Sequence, residues 1–110
     1  MNWLTVIVTA GSNIPLFTFA CKEVIPIRFP PPRLPRRLKQ KARWLNYFDY
    51  DDVLGWPLKP INKAYAQTVS EDRAIRVGGA LTGWNPASHG RYWNESKFVG
   101  EVARLLTTFL

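Results

Sequence analysis

The chain holds one histidine, His89, set in the run Ser88-His89-Gly90-Arg91-Tyr92-Trp93 rather than on an amphipathic face. Upstream, three carboxylates crowd together in Asp49-Tyr50-Asp51-Asp52. Imidazole exchanges protons near neutral pH, and a carboxylate that accepts its Nδ1–H fixes the tautomer and frees Nε2 as a base. An acid and a histidine brought together from two loops are thus two parts of a proton-transfer site. By residue type alone, the same residues also fit a solvated loop and a casual cation contact. Choosing between these readings requires the elements that would bring the two loops together.

Leu4-Thr5-Val6-Ile7-Val8-Thr9 is a β-branched run stopped by Ala10-Gly11-Ser12-Asn13. Its continuous hydrophobicity predicts a strand buried on both faces. Arg43-Trp44-Leu45-Asn46-Tyr47-Phe48-Asp49 predicts a second, aromatic-rich strand that leads straight into the acidic loop. Ile61 to Val69 suits a short helix, and Ala74-Ile75-Arg76-Val77, closed by Gly78-Gly79, suits a third and weaker strand. A turn-rich loop from Thr82 to Trp93 carries His89. The clearest element comes last: Phe98, Val99, Val102, Leu105, Leu106 and Phe109 fall on one helical stripe. Asn94 or Ser96 can cap that helix, and Glu95, Lys97, Glu101 and Arg104 occupy its opposite side.

Connections of these lengths let successive strands pair in parallel through crossovers. The expected fold is α/β: a partial parallel sheet of about three strands with an amphipathic helix at the carboxyl end, one partial domain over residues 1–110. In open parallel sheets, functional groups gather beyond the carboxyl ends of the strands. Both loops fall there.

With 46% hydrophobic and 14% aromatic residues in 110, the chain is too apolar to be disordered. Its single cysteine, Cys21, excludes a disulfide framework and a Cys-rich zinc site, and is expected as a small buried residue. No stretch approaches the roughly 20 apolar residues of a membrane-spanning helix. The net charge of +7 has a local origin. Between Lys22 and Arg43 stand eight basic residues, five prolines and one acid, Glu23, so the remainder is neutral, with seven basic and seven acidic residues. Proline forbids an uninterrupted helix here, and residues 22–43 are expected as an extended, exposed basic loop. Its plain reading is a solvated loop. The alternative is a small basic binding protein that contacts nucleic acid or an anionic membrane through residues 22–43. No helix-turn-helix, zinc-finger or RNP pattern accompanies the charge, so nucleic acid is not the expected partner. No basic residue precedes Lys22, and Gly11-Ser12-Asn13-Ile14-Pro15 interrupts the apolar run, so no signal peptide is expected and the cytoplasm is the expected compartment.

The order and wording of these segments resemble the carboxyl-terminal third of an α/β-hydrolase, the serine-hydrolase family of lipases and esterases. Val6 to Pro15 looks like the family's sixth-strand segment, a hydrophobic strand that ends in a Gly-Ser turn. Asn46 to Val53 looks like the seventh strand and the loop that presents the triad acid, and Ser88 to Trp93 with the following helix looks like the histidine loop and closing helix. The resemblance implies His89 as general base and Asp52, followed by the small apolar pair Val53-Leu54, as the acid that orients it; Asp51 is the runner-up. Asp49 is expected to hold the loop through an Asx-type bond. The sequence departs from the family in having no Gly-x-Ser-x-Gly: its serines are Ser12, Ser70, Ser88 and Ser96. The expectation is therefore a chain that carries acid and histidine but no nucleophile and is inactive alone, with a missing amino-terminal half as partner. Full-length relatives would act on a small ester or acyl substrate, with no cofactor and no metal. Trp44, Trp56, Trp84, Trp93, Phe17 and Phe98 are expected in the core, or in a pocket wall that such an amino-terminal part completes.

Overall fold

The computed structural model describes residues 4–50, 52, 54–76, 92–93 and 95–109. Three strands, β1 (Val6–Ala10), β2 (Arg43–Phe48) and β3 (Glu71–Ala74), form one sheet in the order β1-β2-β3. Both pairings are parallel. The helices are α1 (Arg36–Lys41), α2 (Lys63–Thr68) and α3 (Ser96–Thr107), with single 3₁₀ stretches at Ile14–Phe19 and Lys59–Ile61. This is the α/β fold with a partial parallel sheet and a carboxyl-terminal helix that the sequence patterning implies.

The period of two along each strand sorts side chains onto two faces. Ile7 and Trp44, paired in register, turn toward one face; Val8 with Leu45, and Ala10 with Tyr47, turn toward the other. The first core gathers Phe29, Leu34, Ala42 and Trp44 with Leu58, Tyr65 and Val69. It thus takes anchors from both crossovers, β1 to β2 and β2 to β3. Crossovers of one hand that step in the same direction across a sheet must share a face, and these do. The Trp44 ring sits edge-on between Phe29 and Tyr65, with centroids 6.4 and 6.2 Å away. The second core packs Leu45, Tyr47, Ile75 and Tyr92 against Phe98 of α3, with Tyr47 and Phe98 rings edge to face at 4.7 Å.

One polar row crosses the first face. Thr9, Asn46 and Asp72 are successive register partners. The Thr9 hydroxyl donates to Asn46 Oδ1 at 2.7 Å, and Asn46 Nδ2 donates to Asp72 Oδ1 at 2.8 Å and to the Trp56 carbonyl at 3.0 Å. Asp72 also accepts the backbone N–H groups of Leu58 and Lys59, each at 2.8 Å. Asn46 is wholly buried, so these bonds replace the water it has lost.

Several elements depart from the sequence reading. β1 is half-exposed along its whole length, not buried on both faces, because it is an edge of the described sheet; the buried strand is the central β2. β3 lies at Glu71–Ala74 rather than Ala74–Val77, since its acids and arginine make contacts that outweigh their poor strand propensity, and Val77 is outside the described residues. The basic segment is not extended throughout. Once Pro35 has supplied the non-helical N-cap, the next six residues form α1. Glu95 rather than Asn94 or Ser96 caps α3, its carboxylate accepting the Lys97 N–H at 3.4 Å; Asn94 is outside the described residues. Glu101, expected at the solvent side, turns toward the sheet because Phe98, Glu101, Val102 and Leu105 share one stripe, which leaves Val99 and Leu106 half exposed. Cys21 is exposed, not buried. Of the aromatic set, Trp44 and Phe98 are core, Phe17, Trp56 and Trp93 are exposed, and Trp84 lies outside the described residues.

Candidate functional site

At the carboxyl end of the sheet, three distant parts of the sequence converge. β1 is followed at once by Gly11, whose φ of 62° is the left-handed conformation that glycine takes without strain, and whose N–H donates to the Tyr47 carbonyl at 2.9 Å. β2 ends in two consecutive turns: the Asp52 N–H donates to the Asp49 carbonyl at 2.9 Å, and the Gly55 N–H to the Asp52 carbonyl at 3.3 Å. The Trp56 N–H then donates to the Ser12 carbonyl at 3.0 Å and ties the loop back to the end of β1. Tyr92, from the segment before α3, is the third part.

Asp52 lies between these parts with 3% of its surface exposed. Its Oδ1 accepts the Leu54 N–H at 2.9 Å, an Asx-type turn, and its Oδ2 accepts the Tyr92 hydroxyl proton at 2.9 Å. The same Tyr92 oxygen accepts the Asp49 N–H at 2.8 Å. Burial, and next the bond to Asp52, push the Tyr92 phenol far above the ordinary tyrosine range, so it remains a proton donor to the carboxylate. Gly55 makes this convergence possible. A Cβ there would stand 2.6 Å from Asp52 Oδ2, 2.8 Å from Gly11 Cα and 2.9 Å from the Tyr92 hydroxyl. The outcome is a carboxylate fixed in direction beyond the end of the central strand.

Asp52 makes an Asx-type bond to the Leu54 N–H, and Asp49, 4% exposed, joins the turn through its backbone N–H and carbonyl. His89, Asp51 and Ser88 lie outside the described residues. The other serines have settled surroundings: Ser70 Oγ accepts the Trp44 N–H at 2.9 Å, Ser96 opens α3, and Ser12 leads into a 3₁₀ stretch rather than an α-helix. Tyr92 and Gly55 were not marked as site residues by the sequence. The signal for Tyr92 was its place three residues after His89; nothing local pointed to Gly55.

A second charged cluster sits on the other side of β2. The Tyr47 hydroxyl donates to Glu101 Oε2 at 2.7 Å, and Arg73 spans Glu71 at 2.9 Å and Glu101 at 3.1 Å. Burial first, then the Glu101 bond, raise the Tyr47 phenol from 10.0 to about 12. The Tyr47 bond and the Arg73 charge hold Glu101 below the ordinary carboxylate range, against a smaller upward push from burial. Beside this cluster an open groove of about 820 Å³ runs between β3 and α3. Neither Asp52 nor Tyr92 lines it, and within it Arg73 is paired with Glu71 and Glu101. Among the described residues, no three His, Cys, Asp or Glu side chains converge to hold a metal ion, and no helix is long and apolar enough to cross a membrane.

What fold and site define together is a parallel α/β sheet with a bonded carboxylate beyond its central strand. Compared with protein-family models, curated proteins and solved structures, the chain matches none.

Proposed function

We propose that the chain is the carboxyl-terminal part of a serine α/β-hydrolase, in which Asp52 orients His89 and His89 takes the proton of a serine supplied from outside these 110 residues. One observation supports the reading above others. Asp52 is buried at the carboxyl end of the central parallel strand, bonded at both oxygens, with one of its donors, Tyr92, three residues beyond the only histidine. A carboxylate held in that way would stabilise an imidazolium and keep the imidazole in one tautomer. The serine Oγ would attack an ester carbonyl as its proton passes to His89, and the histidine would return that proton to the leaving alcohol. Alone, the chain has no serine in a Gly-x-Ser-x-Gly setting, so it would not turn over esters.

The test joins this chain to an upstream-encoded segment with a Gly-x-Ser-x-Gly sequence and assays p-nitrophenyl esters. Hydrolysis is expected from the joined protein and not from the 110 residues alone. Asp52→Asn or His89→Ala should lower kcat by about 10³–10⁴-fold. Upstream DNA without such a motif within roughly 100–200 codons, a domain's length, would remove the proposal's support, as would activity indifferent to His89→Ala.

A further inference from the structure

The first crossover, residues 11–42, covers one face of the sheet as a layer whose two sides differ in kind. Its inner side sends Ile14, Val24, Phe29, Leu34 and Leu38 into the first core. Of the eight basic residues between Lys22 and Arg43, all exposed, seven belong to this crossover, against the single acid Glu23; Arg43 opens β2 on the other face, and Lys41 reaches the Thr108 carbonyl at the end of α3. Among the described residues none of these eight forms an ion pair; the two ion pairs present both belong to Arg73. Four large apolar side chains of the same crossover are also exposed: Phe17 by 54%, Phe19 by 89%, Ile25 by 70% and Ile27 by 56%. A single exposed apolar residue is ordinary, but four in one short stretch among uncompensated cations mark an interaction surface.

We propose that the exposed side of residues 17–39 docks on an anionic lipid surface. Phe17, Phe19, Ile25 and Ile27 enter the boundary between headgroups and acyl chains, and the basic residues lie among the anionic headgroups. Two weak signals together, apolar insertion and polybasic attraction, give the binding that neither gives alone. A nucleic acid would satisfy the cations but leave Ile25 and Ile27 in water, because aliphatic side chains offer bases no stacking plane. A bilayer accommodates both kinds of side chain. The surface does not include Asp52 or Tyr92, and it stands whether or not the hydrolase reading does.

Co-sedimentation of the full chain with vesicles tests the proposal. Phosphatidylserine-rich vesicles should carry the protein down, phosphatidylcholine vesicles should not, and added salt should release it. Arg36→Gln with Arg37→Gln should lower partitioning roughly 25-fold, at about five-fold per charge, whereas Arg36→Lys with Arg37→Lys should bind as the parent does. Ile25→Ser with Ile27→Ser should lower it roughly ten-fold or more. All four side chains are exposed, so the fold should survive, as circular dichroism would verify. Absence of vesicle binding at low salt overturns the proposal, and so does a serine double variant that binds like the parent. Binding to a DNA or RNA duplex without vesicle partitioning also overturns it and assigns the charge to nucleic acid.

Discussion

The acids near the carboxyl end of β2 and the bases of the first crossover carry opposite charge and meet opposite treatment. Asp49 and Asp52 are buried, and Asp52 and Asp72 accept named hydrogen bonds from backbone, amide or hydroxyl donors. The eight cations from Lys22 to Arg43 stand in water, and where they bond, as Lys41 does to the Thr108 carbonyl at 3.1 Å, the acceptor is backbone. A buried charge survives only if its partners are in place, so burial converts charge into fixed position. An exposed charge keeps its rotamer freedom and acts through its field. One region has the properties of a site, the other those of a contact surface.

That contrast can be broken most severely at Asp72. Asp72→Ala removes the acceptor of three bonds and should cost about 3–4 kcal/mol in urea unfolding; a loss below 1 kcal/mol would mean that the acid is not a structural centre. Tyr92→Phe takes away the hydroxyl shared by Asp52 and Asp49 and should cost about 2 kcal/mol by the same measurement. Gly55→Ala forces a methyl against Asp52 Oδ2 and the Gly11 backbone, with an expected cost of about 1–2 kcal/mol.

Acid and alkali should loosen the second face from opposite ends. Glu101 has a folded-state pKa below 4.5, so its contribution is complete above that pH and fades as the pH falls beneath it. Tyr47 is raised from 10.0 to about 12, so its contribution is complete below pH 10 and fades as the pH rises toward 12. Thermal unfolding followed against pH should show both limbs, and Glu101→Gln should flatten the acid one. The smallest effect belongs to the other half of the comparison: Arg36→Gln with Arg37→Gln should change stability by less than about 0.5 kcal/mol. A larger loss would show that those cations are held after all.

The sequence is informative where a residue's role follows from its own chemistry and local spacing. β2 was visible in its aromatic and apolar residues, the order of strands in the lengths between them, and α3 in its stripe. What escaped depends on partners far along the chain. Glu71–Ala74 reads as polar surface until Asp72 meets the amides of Leu58 and Lys59. Glu101 reads as the solvent side of a helix until Tyr47 stands opposite it, 54 residues away. At the site, Asp52 was singled out by a family resemblance and by Val53-Leu54, whereas the reason for its burial, Tyr92, lies 40 residues on. Gly55 escapes because a lack of room leaves no trace in composition.

The Thr9–Asn46–Asp72 row has one more consequence, which concerns slippage. Alternation of apolar residues penalises a strand that slides by one position, since every side chain changes face. It is blind to a slide of two, which restores each face. The polar row is not blind. Moved by two, Asn46 would lie beside Ile7 and Asp72 beside Trp44, an amide and a carboxylate set against hydrocarbon. Of the alignments that apolar patterning tolerates, one satisfies both groups. Since Gly11 follows Thr9 and the acidic loop follows Asn46, that alignment also fixes how the two strand tips meet around Asp52.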